Sequence, residues 1–280
     1  MKWWCSASDA PWEWTWRPYP GVWLCLALVV ALYVAGRRHL RRARPGEPAM
    51  PLRTMSFAAG IVSLWVGIDW PIGALGAGYL LSAHTVTYIL LCLVAPPLIL
   101  AGLPPTLVEM ARSRALLWGL LRLLARPLIA LLVFNVTLVV THLPDVVDGF
   151  MRAQLGSMAI DLGWLFSGLV LWWPVIAPKP SVGSISEPSK LGYLFAATLL
   201  PTVPAAFFTF ADYPAYALYE LAPRASTLLD AATDQQLAGL IMKVIGDIPL
   251  WIGFGVVFFR WQRGESGSTP SAPMPLQPVR

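Results

Sequence analysis

His84 stands in the run YLLSAHTVTYILLCLVAPPLILAGLPP, from Tyr79 to Pro105, an apolar stretch long enough to cross a bilayer. Hydrocarbon needs about 20 apolar residues per helix, and an imidazole inside it must face a packed interior, water or a metal. At helical spacing Tyr88 and Cys92 follow His84 on one face, which makes a polar stripe. The stripe either carries chemistry or ties neighbouring helices together by hydrogen bonds. His142 closes another apolar run in VVTHLPDVVD, where it either acts or caps a helix end. Asp161 follows Ser157 by four residues inside a third run, and a carboxylate there needs a counter-charge, a metal or water. DQQLAGLIMKVIGDIPLW carries Met242, Lys243 and Asp247. Lys243 and Asp247 are four apart, so they can neutralise each other as an intrahelical ion pair.

The elements that hold these residues are membrane helices. Of 280 residues 57% are hydrophobic and 12% charged, with mean hydropathy +0.62, whereas soluble domains carry about 25% charged residues. Seven apolar segments of spanning length run over roughly 20–36, 54–70, 77–101, 127–143, 157–177, 192–212 and 237–259. Only helices and closed barrels satisfy their backbone in lipid, and runs this long exclude barrel strands. The expected fold is an all-α integral membrane seven-helix bundle. Pro96, Pro97, Pro174, Pro201, Pro204 and Pro249 interrupt the spans, so kinks around a cavity are expected.

Fifteen of the twenty lysines and arginines fall on one side of the bundle. They are Arg37, Arg38, Arg41, Arg42, Arg44, Arg53, Arg112, Arg114, Arg122, Arg126, Lys179, Lys190, Arg260, Arg263 and Arg280. The alternate loops carry Asp69, Asp145, Asp148, Asp212, Glu220, Asp230 and Asp234. The positive-inside rule then puts the N-terminus outside and the C-terminus in the cytoplasm. Membrane topology and anionic lipid account for the net charge of +5 without any nucleic acid.

Residues 1–19 hold Trp3, Trp4, Trp12, Trp14 and Trp16, and tryptophan favours the membrane interface. They are expected to lie along the external surface, with residues 20–261 as the transmembrane domain and 262–280 as a disordered cytoplasmic tail. The N-terminal segment lacks the marks of a cleaved signal peptide, so the first span is expected to be retained. Cys5, Cys25 and Cys92 are too few and scattered for a disulfide framework or zinc site; Cys25 and Cys92 read as small apolar residues. No nucleophile with its base, phosphate loop or cofactor motif points to an enzyme.

SAHTVTYILLCLVAPPLILAGLPP resembles the third-span signature of the multi-spanning CtaG family of cytochrome c oxidase assembly factors, a pattern close to SxHMxQHxLLxxxAPPLLxLGxP. THLPDVVD is similar to that family's WHxP element, WLFSGLVLWWPVIAP to GLLFWWPV, and DQQLAGLIMKV to DQxxAGxxMW. Asp69-Trp70-Pro71-Ile72 is similar to its SPLD-like turn. The matches run in order from about residue 69 to 261.

The resemblance implies a non-enzymatic assembly factor in the bacterial plasma (inner) membrane, with cytochrome c oxidase subunits and the lipid bilayer as partners. It would help copper reach the oxidase's external copper domain or act there as a scaffold. His84 matches the first of two third-span histidines, but Tyr88 occupies the second position, and Ser157 and Asp161 fall where a further pair is expected. His142 remains. The candidate copper ligands are therefore His84 and His142, with Met242 as a soft auxiliary and Asp161 as a polar gate or site for a harder ion. The alternative is a small-solute or ion transporter using Asp161, Lys243 and Asp247.

Overall fold

The computed structural model describes residues 2–43, 50–104, 115–176, 185–226 and 229–266. Helix makes up 78% of it, and no strand occurs among the described residues. Among the described residues six helices are long and apolar enough to span a membrane, or seven if the bent pair Trp118–Leu124 and Pro127–Thr141 is one span. The expected all-α membrane bundle is therefore present.

Two long helices come first, α1 (Pro20–Ala43) and α2 (Pro51–Ile68), followed by a short α3 (Ile72–Gly78). The third span is continuous from Leu81 to Gly102 but has three parts: α4 (Leu81–Tyr88), a π-helical turn π1 (Ile89–Val94) and α5 (Ala95–Gly102). Next are α6 (Ala115–Leu124), α7 (Pro127–Thr141), α8 (Pro144–Phe150) and α9 (Gln154–Ile176). Then α10 (Glu187–Leu199), α11 (Thr202–Phe210) and the single turn α12 (Ala217–Glu220) lead to the last span. That span comprises α13 (Ala231–Leu240), π2 (Ile241–Ile245) and α14 (Gly246–Ser266).

Burial sets the centre. In an 18-residue apolar stretch of the third span 61% of residues are buried and in that of α9 50%, against 17% in the first span, so the third span and α9 form the axis of the bundle. Close approach between them depends on Gly168, where a Cβ would run into the Cys92 carbonyl. Gly239 similarly lets α13 lie against the Ala205 carbonyl of α11. The remaining large apolar side chains, such as Leu24, Leu128, Phe210 and Ile252, point outward as lipid-facing surface.

Both π turns precede prolines, and the reason is local. A proline ring clashes with the carbonyl four residues back, which for Pro96, Pro97 and Pro249 belongs to Cys92, Leu93 and Ile245. All three carbonyls lie within π1 or π2, whose wider turns give the rings room. At Pro127 the outcome is a sharp break. Arg126 is extended, as a residue before proline prefers, and Trp118–Leu124 bends 78° from Pro127–Thr141.

Several boundaries differ from the sequence expectation. The 77–101 segment divides because Asp234 caps a new helix at Leu81. The last span begins at Ala231, since the Asp230 side chain accepts from the Thr233 N–H at 2.7 Å. At its other end α14 runs to Ser266, so residues 262–266 of the expected tail are helical; residues 267–280 lie outside the described residues. Arg44, Arg112, Arg114, Lys179 and Arg280 also lie outside them.

Residues 2–19 form a non-helical strap over one end of the bundle, and its first part differs most from expectation. Trp4 and Cys5 are 1% and 2% exposed, inserted among the helices, while Trp14 and Trp16 remain on the surface. Acceptors at the α8–α9 junction draw the strap inward: the backbone N–H groups of Trp3 and Trp4 donate to Gln154 Oε1 at 2.6 and 3.2 Å, and Ala7 N–H donates to the Met151 carbonyl at 2.9 Å. Cys5 Sγ lies 3.3 Å from the Ile68 carbonyl. Burial, with Asp161 and Asp69 nearby, pushes the Cys5 thiol well above its ordinary value, so it stays protonated.

Candidate functional site

Asp234 fixes the entry to the third span. Its Oδ2 accepts from the Leu81 N–H at 2.6 Å and the Ser82 N–H at 3.4 Å, and its Oδ1 accepts from the Ser82 hydroxyl. These are the donors that a helix start leaves unpaired, so a carboxylate from α13 caps α4. His84 sits in the turn just capped, 4% exposed. Gly76 lies against its backbone too closely for any Cβ, and the Gly76 carbonyl accepts from Tyr219 Oη at 2.6 Å.

Trp164 of α9 is the hub of the site. It is fully buried, and its Nε1 donates to Thr141 Oγ1 at 2.9 Å. Around it lie the rings of His84 at 4.8 Å, Tyr88 at 5.5 Å and His142 at 6.4 Å between centroids. Tyr88 also stands edge-on to His142 at 5.5 Å. Tyr219 approaches His84 and Phe208 approaches His142, at 5.8 and 6.2 Å, which encloses the cluster in aromatic surface.

His142 follows α7 and is held in one orientation. Its Nδ1 lies 2.7 Å from the Leu138 carbonyl, which can only accept, so Nδ1 carries the proton and Nε2 keeps its lone pair. The His142 carbonyl accepts from Tyr216 Oη at 2.9 Å. Tyr88, 1% exposed, has no hydrogen-bond partner for its hydroxyl. Farther along the stripe Cys92 reaches Ser167 at 3.5 Å. The His84–Tyr88 face thus joins two imidazoles and an unpaired phenol on one indole.

Asp161 lies a turn before Trp164 on α9, but its partner is the strap: Trp4 Nε1 donates to Asp161 Oδ2 at 2.8 Å. Ser157, one turn earlier, is 1% exposed. Met242 is buried in π2, which packs against α4 and α11. Lys243 Nζ pairs with Asp247 Oδ2 at 2.7 Å and donates to Thr202 Oγ1 at 2.8 Å. These three charges are engaged separately, Asp161 by the strap and the Lys243–Asp247 pair by α11.

The donor chemistry departs from a four-ligand copper centre. No group of three or more His, Cys, Asp or Glu side chains among the described residues is arranged to hold a metal. What gathers is two imidazoles, with aromatic rings in the positions between them.

A family model described as cytochrome c oxidase caa3 assembly factor (Caa3_CtaG) matches residues 31–264. The chain belongs to this family. Its oxidase-assembly role is thereby the family's, and the motifs at His84, His142, Gly168 and Asp234 all lie inside the matched region. No curated protein and no solved structure matches the chain. Within this Caa3_CtaG chain, sequence reasoning brought forward His84, Tyr88 and His142, and the structure gathers them. It missed Trp164, although Ser157, Asp161 and Trp164 share a helical face at spacings of four and three. It also missed the cap by Asp234 and the insertion of Trp4, which join residues 153 and 157 positions apart.

Proposed function

We propose that this chain serves oxidase maturation as a membrane scaffold, engaging the oxidase's external copper domain at the strap end, and that it does not carry a resident four-ligand copper centre. The observation that supports this reading is the replacement of donors by rings and by internal hydrogen bonds. Tyr88 takes a position expected to hold histidine, Trp164 occupies the space among His84, Tyr88 and His142, and Asp161 is bound by Trp4. Copper(I) in transit has three candidate donors: His84, His142 through Nε2, and the Met242 sulfur. Such a set suits brief, weak contact with the ion as cargo.

The same reading puts the strap end outside the bacterial plasma membrane, supported by Arg37, Arg41, Arg53, Arg122, Arg126, Arg260 and Arg263 in the opposite loops and helix ends. It assigns no catalytic group. The transporter alternative would need Asp161, Lys243 and Asp247 along one path, and their separate partners speak against it.

Two measurements on the full chain in membranes test the proposal. Crosslinking from the exposed Trp14–Trp16 surface should capture the oxidase subunit that bears the external copper domain. Metal analysis of the purified protein should find copper well below one per chain, with little further change in His84→Ala and His142→Ala. Stoichiometric copper lost in both variants would overturn the scaffold reading.

A further inference from the structure

A groove of about 560 Å³ opens on the side of the bundle, away from the histidines. The third span forms one wall, the last turns of α9 form the floor, and π2 with α14 forms the other wall. Its shape follows from the chain: Pro97 and Pro249 both line it, each just after a π turn that splays its helix. Gly253 lets α14 rest directly on the Trp172 ring, which closes the floor. Except at one end, the lining is almost wholly aliphatic.

One accessible polar group breaks that pattern. Arg260 lines the far end, exposed and without an ion pair among the described residues. Trp172, only 2% exposed, forms part of the floor, and its indole N–H has no hydrogen-bond partner. Arg260 lies seven residues beyond Gly253, about 10 Å of helix. A phosphate held at Arg260 leaves about that length of aliphatic wall for an acyl chain.

We propose that this groove binds one anionic glycerophospholipid, its acyl chain lying between the third and last spans and its phosphate held by Arg260. Depth selects a lipid, since the aliphatic walls lie at the level of the hydrocarbon. Charge selects an anionic headgroup, since an unpaired guanidinium at the groove mouth holds a phosphate that no neighbouring ammonium neutralises.

The test uses the full chain reconstituted in vesicles of equimolar phosphatidylglycerol and phosphatidylcholine, then extracted in mild detergent for native mass spectrometry. One phosphatidylglycerol per chain should be retained in preference to phosphatidylcholine. Arg260→Gln should lower that preference by about fivefold, while Arg263→Gln, one turn away on the surface, should preserve it. Ile252→Trp, which fills the groove, should expel lipid of either headgroup while leaving the helical content unchanged. Equal retention of the two lipids by the wild type, or an unchanged preference in Arg260→Gln, would overturn the proposal. So would a photocrosslinker at Ile252 that captures an oxidase helix in place of lipid.

Discussion

The two ends of the bundle hold their polar groups in different ways. At the strap end the deeply placed carboxylates meet indole and backbone donors: Asp161 takes the Trp4 indole N–H, and Asp69 takes those of Trp23 and of Trp65, one turn earlier, at 2.8 and 2.6 Å. Asp234 takes the helix start at Leu81. Toward the other end Trp172 is just as buried but has no acceptor, and the surface beside it is an open apolar groove. An unpaired buried donor is costly, whereas a carboxylate that accepts several N–H bonds is stabilised. The strap end leaves Asp69 Oδ1 and the Trp12 and Trp70 indole N–H groups unpaired, yet its carboxylates are all held from within the chain, whereas the groove carries the exposed Arg260, without an ion pair among the described residues, beside an apolar wall.

The contrast can be broken most forcefully at Asp234. Asp234→Ala leaves the Leu81 N–H and the Ser82 groups without their acceptor, at about 1–3 kcal/mol for each group left unsatisfied. It should give the largest drop in thermal unfolding midpoint in detergent, with Asp234→Asn losing less because one oxygen remains. If both variants melted like the wild type, the cap would not be holding the third span.

Trp4→Phe and Asp161→Ala should each cost about 1.5–3 kcal/mol, the range for hydrogen bonds to charged groups. Their combination should cost less than the sum, since both remove the same bond. Additive losses would mean that Trp4 and Asp161 act independently. Labelling gives a second view of the strap: a membrane-impermeant maleimide should leave Cys5 unmodified in the wild type and react with it, from outside the cell, in Trp4→Ala. Reaction in the wild type would place the strap on the surface after all.

At Asp69 the effect should be smaller, because Trp23 and Trp65 share one oxygen. Either Trp→Phe change should cost about 1 kcal/mol, and the pair together more than the two added. Smallest of all should be Trp172→Phe in lipid-stripped detergent, which removes an N–H that bonds to nothing. A loss as large as that of Trp4→Phe would erase the difference between the two ends.

Much of the architecture could be read from the sequence because it rests on local runs. Long apolar segments gave the spans, and the SAHTVTY and THLPDVVD runs pointed to the histidines that gather on Trp164. What escaped depends on partners distant in the chain. Nothing near Trp4 in sequence says that its indole will find Asp161, and the Trp-rich composition alone favours an interfacial position. The π turns follow from prolines that were visible, but whether a proline kinks a helix or widens a turn depends on the packing around its displaced carbonyl. Tyr88 is the instructive middle case: the sequence showed that a phenol stands where a histidine is expected, and only the fold shows it pressed against His142 and Trp164.

The scaffold role is tested most directly in a strain deleted for this chain and complemented with the His84→Gln/His142→Gln double variant, scored by the haem spectrum and activity of cytochrome c oxidase in its membranes. Restoration close to the wild-type level, with the variant present in normal amount, is the predicted result. Normal abundance of the variant together with loss of the oxidase signal, rescued by added copper, would contradict it.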